Sequence, residues 1–136
     1  DHDRLAGLDR DGLGRLIEIV RRAAPADGAA NLPPRADAAW IADELRWAAD
    51  LVAFGATVGQ ALLAADAGAA PMRALPAAVR RRLVGELDPL IDRHGVLWPR
   101  RNRPGGRRDA VAKLLRVRDR LAGDGADRVA SARARD

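Results

Sequence analysis

The chain predicts an all-α protein, with about four antiparallel helices in a bundle and a Trp/Arg/Pro/Gly loop before the last helix. Three observations carry this. Alanine, leucine and arginine, all good helix formers, dominate the composition. Apolar residues recur three and four apart in four stretches, and proline or glycine punctuates each gap. No stretch shows the period-two alternation of a strand, and no repeat of about 20–50 residues is present.

The first helix is predicted over about Asp11 to Ala24, where Leu13, Leu16, Ile17 and Val20 keep helical spacing. Asp9 or Asp11 supplies a side-chain cap, and Pro25 ends the element. A linker follows, extended at Pro33-Pro34.

The second helix starts after Asp37, a plausible N-cap, and runs to about Asp66. It carries two adjoining stripes. Ile41, Leu45, Ala48 and Val52 form one, and Trp40, Trp47, Leu51, Phe54 and Val58 form the other. Two stripes predict contact around much of the circumference, with Trp40 and Trp47 in the core. Gly55 and Gly59 share a face and each costs about 1 kcal/mol against alanine, so close approach of another helix is expected there.

The third helix is predicted to start near Pro76, with Leu75, Val79, Leu83, Leu87, Leu90 and Ile91 as its apolar face. Pro89 should kink or interrupt it, and His94-Gly95 should end it. His94 would then meet the negative end of the helix dipole. The fourth helix is expected from about Asp109 to Ala122 on Val111, Leu114, Leu115, Val117 and Leu121, stopped by Gly123. The domain plan is a bundle over 1–123 and a frayed or disordered basic tail over 124–136.

At 136 residues the chain suits one domain with a real core. Its formal charge is +5, from 23 arginines and one lysine against 19 acidic residues. Abundant Ala, Arg, Gly, Asp and Pro with a single lysine reads first as codon bias and second as a polyanion-binding surface. The charge is uneven: residues 1–70 carry 7 basic and 11 acidic side chains, and residues 71–136 carry 17 and 8. Any anion-facing surface is therefore expected in the second half. With no cysteine there is no disulfide, thiol catalysis or thiolate metal site. The opening Asp-His-Asp-Arg does not read as a signal peptide, and Leu51–Ala65 is short for a membrane span, so the expected location is cytoplasmic by default.

Chemistry-bearing patterns are few. His2 and His94 are the only histidines, and no metal-ligand spacing surrounds them, so neither metal nor cofactor is expected. Asp43-Glu44, adjacent on a helix, diverge by about 100°, which suits a solvated face better than general acid–base work. Glu86 and Asp88 beside Pro89 are similarly weak. The near absence of serine leaves no nucleophile with a histidine partner. Asp9-Arg10-Asp11-Gly12 begins like a calcium loop but lacks its later ligands. A stand-alone enzyme would have to use Asp43, Glu44 or Glu86 in a helical cavity.

The segment Leu97–Gly106 stands apart, reading as neither helix nor filler. It holds Trp98, Arg100, Arg101, Asn102 and Arg103, with Pro99, Pro104, Gly105 and Gly106. With Arg93, Arg107 and Arg108 the window counts six arginines and no acid. Three readings stay open: a phosphate clasp with Trp98 stacked on a base; guanidiniums paired with carboxylates of a neighbouring domain; or Trp98 in the core with the arginines solvated.

Leu97-Trp98, Arg101-Asn102-Arg103-Pro104-Gly105-Gly106 and a following helix at Asp109-Ala110 resemble the C-terminal tail of bacterial glycoside hydrolases, most like the family 20 β-N-acetylhexosaminidases and their relatives. Glu44–Leu51 is similar to the helix before that tail. The likeness spans about residues 37–122, and its specific part is Trp98–Gly106. It implies a non-catalytic helical region docked on a (β/α)₈ catalytic domain of the same or an associated chain. It transfers no catalytic residue, because the family's Asp-Glu pair lies in the barrel. Docking or ligand contact would fall to Trp98, Arg100, Arg101, Asn102, Arg103, Arg107 and Arg108. Pro99 after the tryptophan, Arg107-Arg108 in place of leucine and a polar residue, and Ala110 in place of serine depart from the pattern. The competing class is a basic helical module for nucleic acid or another polyanion.

Overall fold

The computed structural model describes residues 7–24, 34–65, 72–102 and 106–123. Four helices account for most of them: α1 (Arg10–Ala23), α2 (Ala38–Ala64), α3 (Ala77–Arg101) and α4 (Arg107–Ala122), with a 3-10 turn at Met72–Ala74. No strand occurs among the described residues, and the all-α class read from the sequence holds. Contacts gather into two compact units, Asp1–Ala64 and Ala65–Asp136, each built on one helix pair. The expected tail over 124–136, the Pro25 stop and Pro33 lie outside the described residues.

In the first unit α1 packs on α2. Asp9 caps α1, its side chain accepting a hydrogen bond from the Gly12 backbone N–H. The calcium-like Asp9–Gly12 string is thus a helix start, in which the aspartate satisfies an orphan donor of the first turn. The beginning of α1 lies beside the later turns of α2. Gln60 Nε2 donates to the Arg10 carbonyl at 3.0 Å. Leu13 sits on Gly59, where a Cβ would stand 2.9 Å from Leu13 Cδ1. Gly59 therefore repays its low helix propensity with a close helix–helix approach, as expected.

Gly55 does not: a Cβ there meets nothing within 4 Å. The expectation that α2 is covered around most of its circumference is also corrected. Ala42, Ala53, Phe54, Ala56, Val58 and Leu62 are buried, but Trp40 is 48% exposed, Leu45 48% and Val52 45%. Trp40 is not a core residue, while Trp47 is half-buried. α1 packs on the later turns of α2, so the exposed residues of both stripes, Trp40, Leu45 and Val52, belong to its earlier turns. By length and composition alone, α2 is also the one helix among the described residues apolar enough to cross a membrane.

In the second unit α3 and α4 run antiparallel, with Arg80 beside Leu121 at one end and Gly106 beside Trp98 at the other. Leu83, Leu87 and Leu121 are fully buried, each contributing about 1.5–3 kcal/mol of apolar transfer. Arg118 grips Asp88 across the pair, Nε to Oδ1 at 2.6 Å and Nη2 to Oδ2 at 3.4 Å.

The predicted end of α3 at His94-Gly95 is overturned. The helix continues through Pro89 and Pro99 to Arg101, so Leu97–Arg101 is helical rather than loop. A helical proline removes a hydrogen bond and presses its ring on the carbonyl four residues back. Here those carbonyls belong to Gly85 and Gly95, which carry no Cβ and give the backbone room to adjust. Both proline rings are solvent-exposed, where water can satisfy the freed carbonyls. Both Gly-to-Pro spacings are four, a pattern visible in the sequence once it is sought.

Candidate functional site

The corner between α3 and α4 gathers most of the described residues singled out from the sequence. Asn102 closes α3: its backbone N–H donates to the Trp98 carbonyl at 3.0 Å and its Nδ2 donates to the same oxygen at 3.3 Å. This is the local hydrogen bonding expected of asparagine at a chain reversal. The chain then returns into α4, whose N-cap is Gly106, with no side-chain hydrogen bond at the cap.

Trp98 is half-buried and holds the corner shut. Its ring stands perpendicular to the His94 ring, centroids 5.3 Å apart, an edge-to-face geometry that aromatic quadrupoles favour. A Cβ at Gly106 would lie 3.0 Å from Trp98 Cζ2. Gly106 is therefore required for contact with the indole. His94 itself is 8% exposed and the only buried polar or charged residue among those described. Burial, and then the positive charge of Arg107, hold its imidazole below the ordinary value of 6.5. The expectation that His94 is a helix-end cation is corrected, since α3 extends seven residues past it to Arg101.

Arg107 lies over α3 at a gap left by glycine: a Cβ at Gly95 would stand 3.2 Å from Arg107 Nη2. Arg107 and Arg108 occupy the first turn of α4 and are exposed, and neither has an ion-pair partner among the described residues. Cations in a first helical turn oppose the dipole, so their placement is locally unfavourable. Arg100 is exposed on the last turn of α3 and is engaged with the protein. Arg101 belongs to α3, but its side chain, like all of Arg103, Pro104 and Gly105, lies outside the described residues.

The acids weighed for catalysis are occupied otherwise. Asp43 pairs with Arg46 at 3.4 Å, Glu86 with Arg82 at 3.6 Å, and Asp88 with Arg118. Glu44 also has a partner. Among the described residues no group of three His, Cys, Asp or Glu has the geometry to hold a metal.

The sequence reading missed His94 as the inner wall of the corner. Its spacing of four from Trp98 was the available signal, since residues i and i+4 face one another on a helix. It also missed Arg80, which reaches from α3 to the other end of α4. Nothing local distinguishes that arginine from Arg81 or Arg82.

Compared with known proteins, the chain matches no family model, no curated protein and no solved structure.

Proposed function

We propose that this chain is a helical docking region without catalysis of its own, and that it seats the α3–α4 corner on a carboxylate-bearing partner domain. The observation that carries this is the display of Arg107 and Arg108, neither in an ion pair among the described residues, on the first turn of α4, where Gly106 meets the Trp98 indole. Two guanidiniums held on a fixed backbone suit bidentate bonds to carboxylates, because little side-chain and no backbone ordering remains to be supplied on binding. The likeness of Trp98–Gly106 to a glycoside hydrolase tail supplies the partner's class: the (β/α)₈ catalytic domain of a β-N-acetylhexosaminidase-like enzyme. Of the acids weighed for catalysis, Asp43, Glu86 and Asp88 sit in ion pairs, which further favours a binding role over an acid–base one.

Titration of the chain against such a barrel domain, followed by calorimetry, tests the reading. Binding that the double variant R107E/R108E weakens tenfold or more is expected, since lost charge pairs at an interface cost about 2 kcal/mol or more. Equal binding by both proteins overturns it, and hydrolysis of chitooligosaccharides above a heat-denatured control overturns the non-catalytic assignment.

The second reading, a polyanion-binding module, draws on the excess of basic side chains over residues 71–136. It requires association with heparin or nucleic acid that collapses between low and high salt, because counterion release drives such binding. Retention that is insensitive to salt removes it.

A further inference from the structure

The first unit carries a helix-packing seam that is half occupied. Along α2, Ile41, Leu45, Ala48, Val52 and Gly55 recur at alternating spacings of four and three, the register in which helices interdigitate. The register continues into Gly59 and Leu62, and there it is closed. Both residues are buried, and Leu13 of α1 seats against Gly59. Toward the N-terminus the same seam is open within the first unit: Leu45, Ala48, Val52 and Gly55 are all exposed. Gly55 is the informative member. An exposed glycine in mid-helix costs about 1 kcal/mol relative to alanine, and no contact above it offsets that cost. Gly59, four residues on, shows what glycine does in this seam: it admits a bulky side chain from a second helix.

We infer that the open half is filled by α2 of a second copy, antiparallel about a two-fold axis at Ala48. In that arrangement Ala48 meets its own equivalent, Leu45 meets Val52, and Ile41 meets Gly55. A bulky residue thus faces the missing side chain, and the small residue lies on the axis. Such an isologous contact is satisfied by one self-complementary patch. The charges agree. Asp43, Arg46 and Asp50 fall on the far side of the helix at 100° per residue, and Glu44 lies on the rim, about 60° from the middle of the seam, so the middle of the seam brings apolar groups together with a carboxylate at its edge. A polyanion or an anionic membrane would instead meet a half-chain with 11 acidic and 7 basic residues over 1–70. The seam is also continuous with the α1–α2 packing, so a helix added there extends an existing interface.

Sedimentation velocity on the full chain between about 1 and 100 μM spans the affinities expected of a modest helical interface, and a doubling of mass is expected across it. Leu45→Glu and Val52→Arg should each return the monomer with helical circular dichroism unchanged, since both positions are exposed. Mixing the two variants in equal amounts should restore the dimer, because the two-fold sets position 45 of one copy against position 52 of the other. A wild-type monomer throughout, a dimer indifferent to Val52→Arg, or a mixture that stays monomeric overturns the inference. So does a chain that remains monomeric while binding phosphatidylcholine vesicles, which assigns the face to lipid.

Discussion

Arg80 of α3 ties down the end of α4: its Nη1 donates to the carbonyls of Leu121 and Ala122, both at 3.1 Å, while its Nε donates to the Leu75 carbonyl at 3.2 Å. The last carbonyls of a helix have no partner within it and gather negative potential. One guanidinium here answers both needs and joins α4 to the segment before α3. Gly123 follows in the left-handed conformation, φ 88°, with its N–H returned to the Asp119 carbonyl.

Arg80→Ala should cost about 1.5–3 kcal/mol, as expected for a charged hydrogen-bonding group whose part-buried acceptors lose their partner. Arg80→Lys should recover little of it, because an ammonium cannot span the two directions a guanidinium covers. Urea unfolding of the three proteins checks this. Equal midpoints for wild type and Arg80→Ala would refute the tie.

Gly123→Ala should be destabilising by about 1 kcal/mol for its positive φ alone. A Cβ at that position would also lie 2.8 Å from Arg80 Nη1. The two substitutions should therefore be non-additive, with Gly123→Ala costing less in the Arg80→Ala background. A double-mutant cycle measures the coupling.

The two glycines of α2 should respond in opposite directions. Gly55→Ala, in open space, should raise stability by about 1 kcal/mol in dilute solution. Gly59→Ala should lower it, because the new methyl meets buried Leu13 and the core must shift. Adding Leu13→Ala should relieve that clash, although it carries its own cavity cost. Thermal melts of the single variants suffice to decide the contrast.

His94 makes stability depend on pH, and the sign follows from its lowered value. The unfolded chain takes up the proton first, near the ordinary 6.5, so it binds more protons than the folded chain as pH falls. Stability from this group is complete above about pH 7 and declines as pH drops below 6.5 toward the folded value. Replacing the imidazole with an apolar ring, His94→Phe, should flatten the melting temperature between about pH 7 and 5.5 relative to wild type. A wild-type profile that rises on acidification would contradict the lowered value.

Arg108→Glu separates stability from docking. It places an acid in the first turn of α4, and should stabilise the isolated chain by about 0.5 kcal/mol through the dipole. The same change should weaken binding to an acidic partner. A variant less stable than wild type would show that Arg108 has a structural role, and unchanged binding would remove it from the docking surface.

Much of the architecture was legible before any coordinates. Apolar spacing located four helices, Asp9 and Gly123 marked two of their ends, and Gly59 announced a close approach. These are local effects: a cap, a left-handed residue and a period act within a few positions of the chain. The same local logic misjudged α3, because the cost of Pro89 and Pro99 depends on whether the carbonyls four residues back can yield, and glycine stands at both. Asn102 and Gly106 were placed in the loop segment before the last helix. The contact between Gly106 and Trp98 depends on how α4 returns along α3, and composition does not contain that. Burial was the least accessible property. Apolar residues run the length of α2 in the sequence, and it is the packing of α1 on its later turns that covers Leu62 while Leu45 and Val52 face outward. Arg80 shows the same division, since three successive arginines are chemically identical and only the folded path of the chain brings one of them to the end of α4.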